Sequence, residues 1–195
     1  MSHAVIGKNR LEAFSDGVLA IVITIMVLEL KVPHGNSFSS LEGLLPVFMS
    51  YVLSFVYIAI YWNNHHHMIH TCKSVNGSIL WANLHLLFWL SLIPFTTGWM
   101  GENHFAPTPT FLYGVNLLFA AISYFILQRS IISAQGLDSI LKKAIGRDRK
   151  RNISTFLYMT AIAVSLWLPF FALSLYTFVA LIWIVPDKRI EQVYK

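Results

Sequence analysis

The chain has 195 residues, of which 56% are hydrophobic and only 12% charged. A soluble domain carries roughly 25% charged residues, so the deficit and the long uncharged runs place this chain among membrane proteins and exclude an ordinary soluble globule. The net charge of +5 does not argue for a nucleic-acid partner, because most basic residues fall in one loop between apolar segments, where membrane orientation explains them.

The first segment, RLEAFSDGVLAIVITIMVLEL, starts at Arg10 and is predicted to span the membrane over 10–31. It does not read as a signal peptide: Asp16 precedes its apolar core, Glu29 and Lys31 follow it, and no small-residue cleavage site appears. The uncharged apolar core, 18–28, gives only ~16 Å of helix against a hydrocarbon layer of ~30 Å. Such a helix is poorly matched to lipid on all sides and better suited to shielding by longer helices, with one stripe on a water-filled axis. Ile21, Ile25 and Leu28 recur at i, i+4, i+7, with Gly17 and Thr24 beside them. In an all-apolar helix this spacing fits packed aliphatics as well as a pore face. Asp16 caps the helix if the helix begins beside it. If the helix begins near Asn9, Asp16 lies two turns inside and needs a partner.

Further along, uncharged blocks predict spans at 44–66, 79–100 and 109–129. The block 153–185 is 33 residues, or roughly 50 Å as one helix, with Pro169 at its middle. It is read as a hairpin of spans 153–168 and 170–186, giving six in all. With the N-terminus inside, six spans place thirteen of the fourteen basic residues on the cytoplasmic side and leave Lys31 outside. Both termini are then cytoplasmic, and a cell (plasma or inner) membrane is the expected location. Trp62, Trp81, Trp99 and Trp183 fall near span ends, as interfacial residues do. The loop 129–152 is basic and spaces Leu137, Ile140, Leu141 and Ile145 for an amphipathic surface helix. Orientation accounts for its charges without a dedicated lipid sensor. No Pro/Gly/Ser-rich linker divides the chain, so 1–195 is read as one domain. Cys72 is the only cysteine, which excludes an internal disulfide and a CxxC site.

YWNNHHHMIH at the end of the second span and ILWANLH at the start of the third lie on the same side as Asp16. Trp81, Asn83, His65 and His66 are candidate donors to it, forming a cytoplasmic polar cluster.

Arg10-x-x-x-Phe14-Ser15-Asp16 ahead of an aliphatic helix resembles the RxxxFSD signature of the transmembrane protein 175 family of potassium channels. YWNNHH, LWANL and SLIPFTTGWMGEN, in that order, are similar to its bacterial members, so the resemblance runs along essentially the whole chain. It implies an all-α homotetramer of six-helix subunits whose first helices surround the pore, without a carbonyl selectivity filter; no TVGYG-like loop is present. Aliphatic rings of helix 1 would constrict that pore. Carried over by distance from the motif, they fall on Ile21, Ile25 and Leu28, with Ile21 narrowest and Thr24 the nearby hydroxyl. The larger leucine ring of some relatives is isoleucine here. The permeant ion would be K+, with other monovalent cations possible, and no further cofactor is implied.

Other classes fit less well. His66 and His70, or His67 and His70, share a helix face and could hold zinc or nickel, but no HExxH or carboxylate at ligand spacing accompanies them. Interfacial histidines are the preferred reading. GxSxG and phosphate-loop motifs are absent, so an enzyme is not expected. A small oligomeric secondary transporter of cations is the alternative, because Pro94 and Pro169 could break helices around a midplane site. A non-conducting scaffold, packed through Gly114 and Ala120–Ala121, is the third reading. No span carries an arginine ladder, so no voltage sensor is expected.

Overall fold

The computed structural model describes residues 7–136, 139, 141–142 and 149–185. Among the described residues, seven α-helices form six helical segments: α1 (Lys8–Leu28), α2 (Leu45–His70), α3 (Gly77–Ser91) with α4 (Ile93–Glu102), α5 (Pro107–Gln135), α6 (Arg149–Ser165) and α7 (Pro169–Ile184). A 3-10 turn, Phe38–Leu44, leads into α2. Four crossings (α1, the 3-10 turn with α2, α3 with α4, and α5) are long and apolar enough to span a bilayer, and α7 is a shorter apolar helix.

Prolines punctuate the bundle. Pro94 lacks an N–H and its ring crowds the carbonyl four residues earlier, so the third crossing breaks at Leu92 into α3 and α4. The break is closed locally: the Leu92 amide donates to the Trp89 carbonyl at 3.3 Å, and the Thr96 amide to the Leu92 carbonyl at 3.1 Å. Pro169 opens α7, where a missing N–H costs nothing, and turns the 153–185 block into the expected hairpin. Helix α5 runs past the predicted boundary at 129, so Arg129 is helical and the connection to α6 shorter than the spacing suggests. It stops at Gly136, whose φ of 65° is strained for any residue with a Cβ. The amphipathic helix expected from Leu137, Ile140, Leu141 and Ile145 lies mostly outside the described residues; Leu141, which is described, is buried.

The core forms where α3 packs along α5, α5 along α6, α6 along α7 and α2 along α4. Two glycines allow close approach. A Cβ on Gly101 would stand 2.8 Å from the Val47 Cα, and one on Gly114 would collide with the Tyr176 hydroxyl. A polar belt crosses the interior. The Ser54 hydroxyl is 2.6 Å from Thr97 Oγ1 and 3.0 Å from the Tyr113 hydroxyl, while Tyr57 donates to the Tyr176 carbonyl at 2.6 Å. Such pairing is what makes hydroxyls tolerable between helices in lipid.

Candidate functional site: the first helix and its basic-end brace

Helix α1 lies at the edge of the bundle against α2, α3 and α4. Its two faces differ. Leu11, Ser15, Leu19, Val22 and Met26 are buried against the rest of the chain. The other face, Gly17, Ile21, Thr24, Ile25 and Leu28, is exposed, with Ile21 59%, Ile25 44% and Leu28 76% accessible. At ~1.5 Å per residue these three side chains climb ~10 Å along one stripe. The Thr24 hydroxyl donates to the Ile21 carbonyl at 2.9 Å, so its lone pairs point away from the helix backbone.

The helix begins at Lys8, which puts Asp16 two turns inside and removes the capping role. Asp16 receives the Trp62 indole N–H at 3.0 Å, and four residues earlier Glu12 meets His66 Nδ1 at 3.0 Å. Glu12 and Asp16 are i, i+4 on α1; Trp62 and His66 are i, i+4 on α2 and stack at 6.3 Å. The two pairs form rungs between neighbouring helices. Lys8 adds a third contact, donating to the His70 carbonyl at 2.8 Å.

A second, fully buried chain of hydrogen bonds ties the other side of α1 to α3. Asn83 Nδ2 donates to Ser15 Oγ at 3.0 Å, and Ser15 donates to the Leu11 carbonyl at 2.8 Å. The amide oxygen of Asn83 therefore accepts, and His65 Nε2, at 2.7 Å, carries the proton given to it. His65 Nδ1 is left buried without a partner among the described residues. The expected cluster thus separates into two. His65 and Asn83 serve Ser15 and not Asp16, and His66 serves Glu12. Trp81 is 73% exposed and joins neither, so the expectation that it donates to Asp16 is corrected in favour of Trp62. Arg10 and Phe14 are exposed on α1. From sequence Trp62 reads as an interfacial residue alone; the signal that identifies its role is the matched i, i+4 spacing of two acids on one helix and two donors on the next.

At the opposite end, the Lys31 ammonium meets Glu102 at 2.7 Å, and the Glu29 side chain packs on Gly98, leaving room for no more than an ordinary contact there. The hydrogen bond and charge of Glu102 raise the Lys31 pKa above its usual value. Both ends of α1 are therefore anchored to other helices while its middle stripe is left uncovered. The histidines stack, His66 on His70 at 6.2 Å, but Nδ1 of the first faces Glu12 and Nδ1 of the second lies 3.3 Å from the Lys8 ammonium. Among the described residues no three metal-ligating side chains converge.

Taken together, the architecture is that of a multi-pass helical membrane protein carrying an end-anchored first helix with one uncovered aliphatic stripe. A family model described as endosomal/lysosomal potassium channel TMEM175 matches residues 10–94, from α1 into α4. The chain is 58% identical over 188 residues to a potassium channel of Chryseobacterium sp., covering 96% of this chain and 98% of that one. It is 33% identical over 99 residues to the human endosomal/lysosomal proton channel TMEM175, covering 44% of this chain and 20% of that one. Its fold superposes on the crystal structure of a lysosomal potassium-selective channel TMEM175 homologue from Chamaesiphon minutus with a TM-score of 0.76 at 26% identity, over 92% of this chain and 97% of that one. The chain belongs to the TMEM175 family of ion channels.

Proposed function

We propose that this chain forms a potassium-preferring cation channel in which copies of α1, four by analogy with the family, surround a central pore. The observation that carries this reading is the uncovered stripe of Ile21, Ile25 and Leu28 on a helix whose opposite face is buried. Exposed aliphatics on a helix buried along its opposite face are stabilised when they face one another around an axis. Rings of such side chains set the bore and can close it by dewetting. Ile21, five residues above Asp16, is the narrowest ring. Thr24, between rings, offers oxygen lone pairs to a cation shedding water. Asp16 and Glu12, held by Trp62 and His66, fix the rotation of α1, and their charge attracts cations to the basic-end mouth. The names borne by the relatives supply the preference for K+.

Charge distribution supports the orientation. Lys8, Arg10, Lys73, Arg129 and Lys150 lie at the end of the bundle where α1 begins and α7 ends, whereas Lys31 lies at the far end. The positive-inside rule puts the first end in the cytoplasm of a cell membrane. The transporter reading draws on the α3–α4 break, but the closed hydrogen bonds there offer no unwound backbone to a substrate.

Flux of K+ and Na+ into proteoliposomes at imposed potentials tests the proposal, with Ile21→Asn as the variant. Passive, K+-preferring flux is expected from the parent protein, and larger, less selective flux from a wetted asparagine ring. Saturating flux that demands a co-ion, or flux indifferent to Ile21, overturns it.

A further inference from the structure

A cavity of about 350 Å³ lies between α2, α5, α6 and α7, away from α1. Its size falls within the ~300–1,000 Å³ of small-ligand sites, and the interior of a helix bundle is a usual place for one. The inner end is walled by Tyr57, Ala121, Ile122 and Tyr158. From Ala121 to Gln128 the wall follows α5 for ~10 Å towards the basic end of the bundle. There the character changes. Arg151 lines the cavity with its guanidinium 4.3 Å from the Phe125 ring centroid, and Arg129 lies 4.9 Å from the same ring. Lys150 sits 5.9 Å from the ring of Trp183, which also lines the cavity. Among the described residues, no acidic side chain is in the lining.

Two polar side chains in the wall, Tyr61 and Gln128, are 8% and 7% exposed, and neither has a hydrogen-bond partner among the described residues. Neither polar end is sealed away from the cavity both side chains line, so an occupant bearing acceptors can take their hydrogen bonds. An apolar slot, unsatisfied donors part-way along it and cations at its mouth match, in order, an acyl chain, ester carbonyls and a phosphate. Basic pockets between membrane helices on the cytoplasmic side are suited to anionic headgroups.

We propose that this cavity binds one acyl chain of an anionic phospholipid, with its phosphate at Arg151, Lys150 and Arg129 and its ester carbonyls accepting from Gln128 and Tyr61. The site is separate from the stripe on α1, so its occupancy can be read without measuring conduction. The basic residues then do more than orient the chain: Arg151 lines the cavity, and Arg129 and Lys150 lie against aromatic rings of its wall.

The assembled full-length protein, re-lipidated with equal phosphatidylglycerol and phosphatidylcholine of identical chains, would be examined by native mass spectrometry. Phosphatidylglycerol should be retained at one molecule per subunit in preference to phosphatidylcholine. Arg151→Gln should weaken retention about fivefold, the effect of one basic residue near an anionic lipid. Ala121→Phe, which fills the inner end and alters no charge, should abolish it, and Gln128→Leu should reduce it. Millimolar inorganic phosphate should not displace the lipid. Equal retention of both lipids overturns the proposal, as does displacement by phosphate, which marks a free-anion site. Loss in Arg151→Gln with full retention in Ala121→Phe also overturns it, by placing the lipid on the basic surface. If Ala121→Phe fails to assemble, undiminished retention in Gln128→Leu decides against the cavity.

Discussion

Asn83 holds the key to the buried cluster, because an amide both gives and accepts. Its N–H serves Ser15 and its oxygen takes the proton of His65, so one side chain satisfies groups on two other helices. Replacing it with leucine leaves the His65 Nε2–H without its acceptor and the Ser15 oxygen without a donor, although Ser15 keeps its own bond to the Leu11 carbonyl. Asn83→Leu is expected to destabilise the protein by about 1–2 kcal/mol, at the upper end for polar contacts between membrane helices; thermal unfolding of the assembled protein checks this. Trp62 is a different kind of residue, since its indole is half exposed and reaches Asp16 in the N-terminal half of α1. Trp62→Phe should leave stability within about 1 kcal/mol of the parent yet change K+ flux, because the rotation of α1 loses a rung. Flux identical to the parent would remove Asp16–Trp62 from the mechanism.

Among the elements, α4 shows how closely helices can be set by single glycines. At Gly101 a methyl group would press on the backbone of α2 at Val47, which cannot step aside as a side chain does. At Gly98 the nearest atoms are in the Glu29 side chain at 3.4 Å. Gly101→Ala is therefore expected to cost about 1–3 kcal/mol, as overpacking does, whereas Gly98→Ala should be close to neutral. Comparing their melting temperatures with the parent's tests the register of α4 on both neighbours. The far anchor of α1 is electrostatic and exposed. Because Glu102 raises the Lys31 pKa, the pair's contribution is complete below the usual lysine value and disappears as pH climbs through the raised one. It should also fade with salt, so Lys31→Gln should matter least in high-salt buffer.

At the level of the whole molecule, one subunit leaves an aliphatic stripe of α1 bare while burying Leu19 on the opposite face at 1% exposure. If four copies bring those stripes to a common axis, cysteines placed there meet across it and cysteines on the buried face do not. Ile25→Cys should yield covalent dimers of subunits under mild oxidant, and Leu19→Cys should not, as read on a non-reducing gel. Cys72, the one native thiol, is buried and serves as the internal background. Cross-linking from Leu19→Cys alone would turn α1 around and displace the pore from the Ile21 stripe.

Composition, proline positions and the run of basic residues were enough to establish a membrane protein of six helical crossings. Those signals are one-dimensional: an apolar length, a missing N–H at Pro94 or Pro169, a charge count on alternate loops. The Arg10 to Asp16 motif likewise pointed to the family from linear order. Rotation of each helix about its own axis was not legible, because a span that is apolar all round shows hardly any amphipathic preference. Tertiary packing alone therefore decided that Trp62 and not Trp81 meets Asp16, that His65 serves Ser15 through Asn83, and that α1 keeps its Ile21 face bare. It alone also opened the cavity beneath Arg151, since a void is defined by four helices together and by no segment of any one of them.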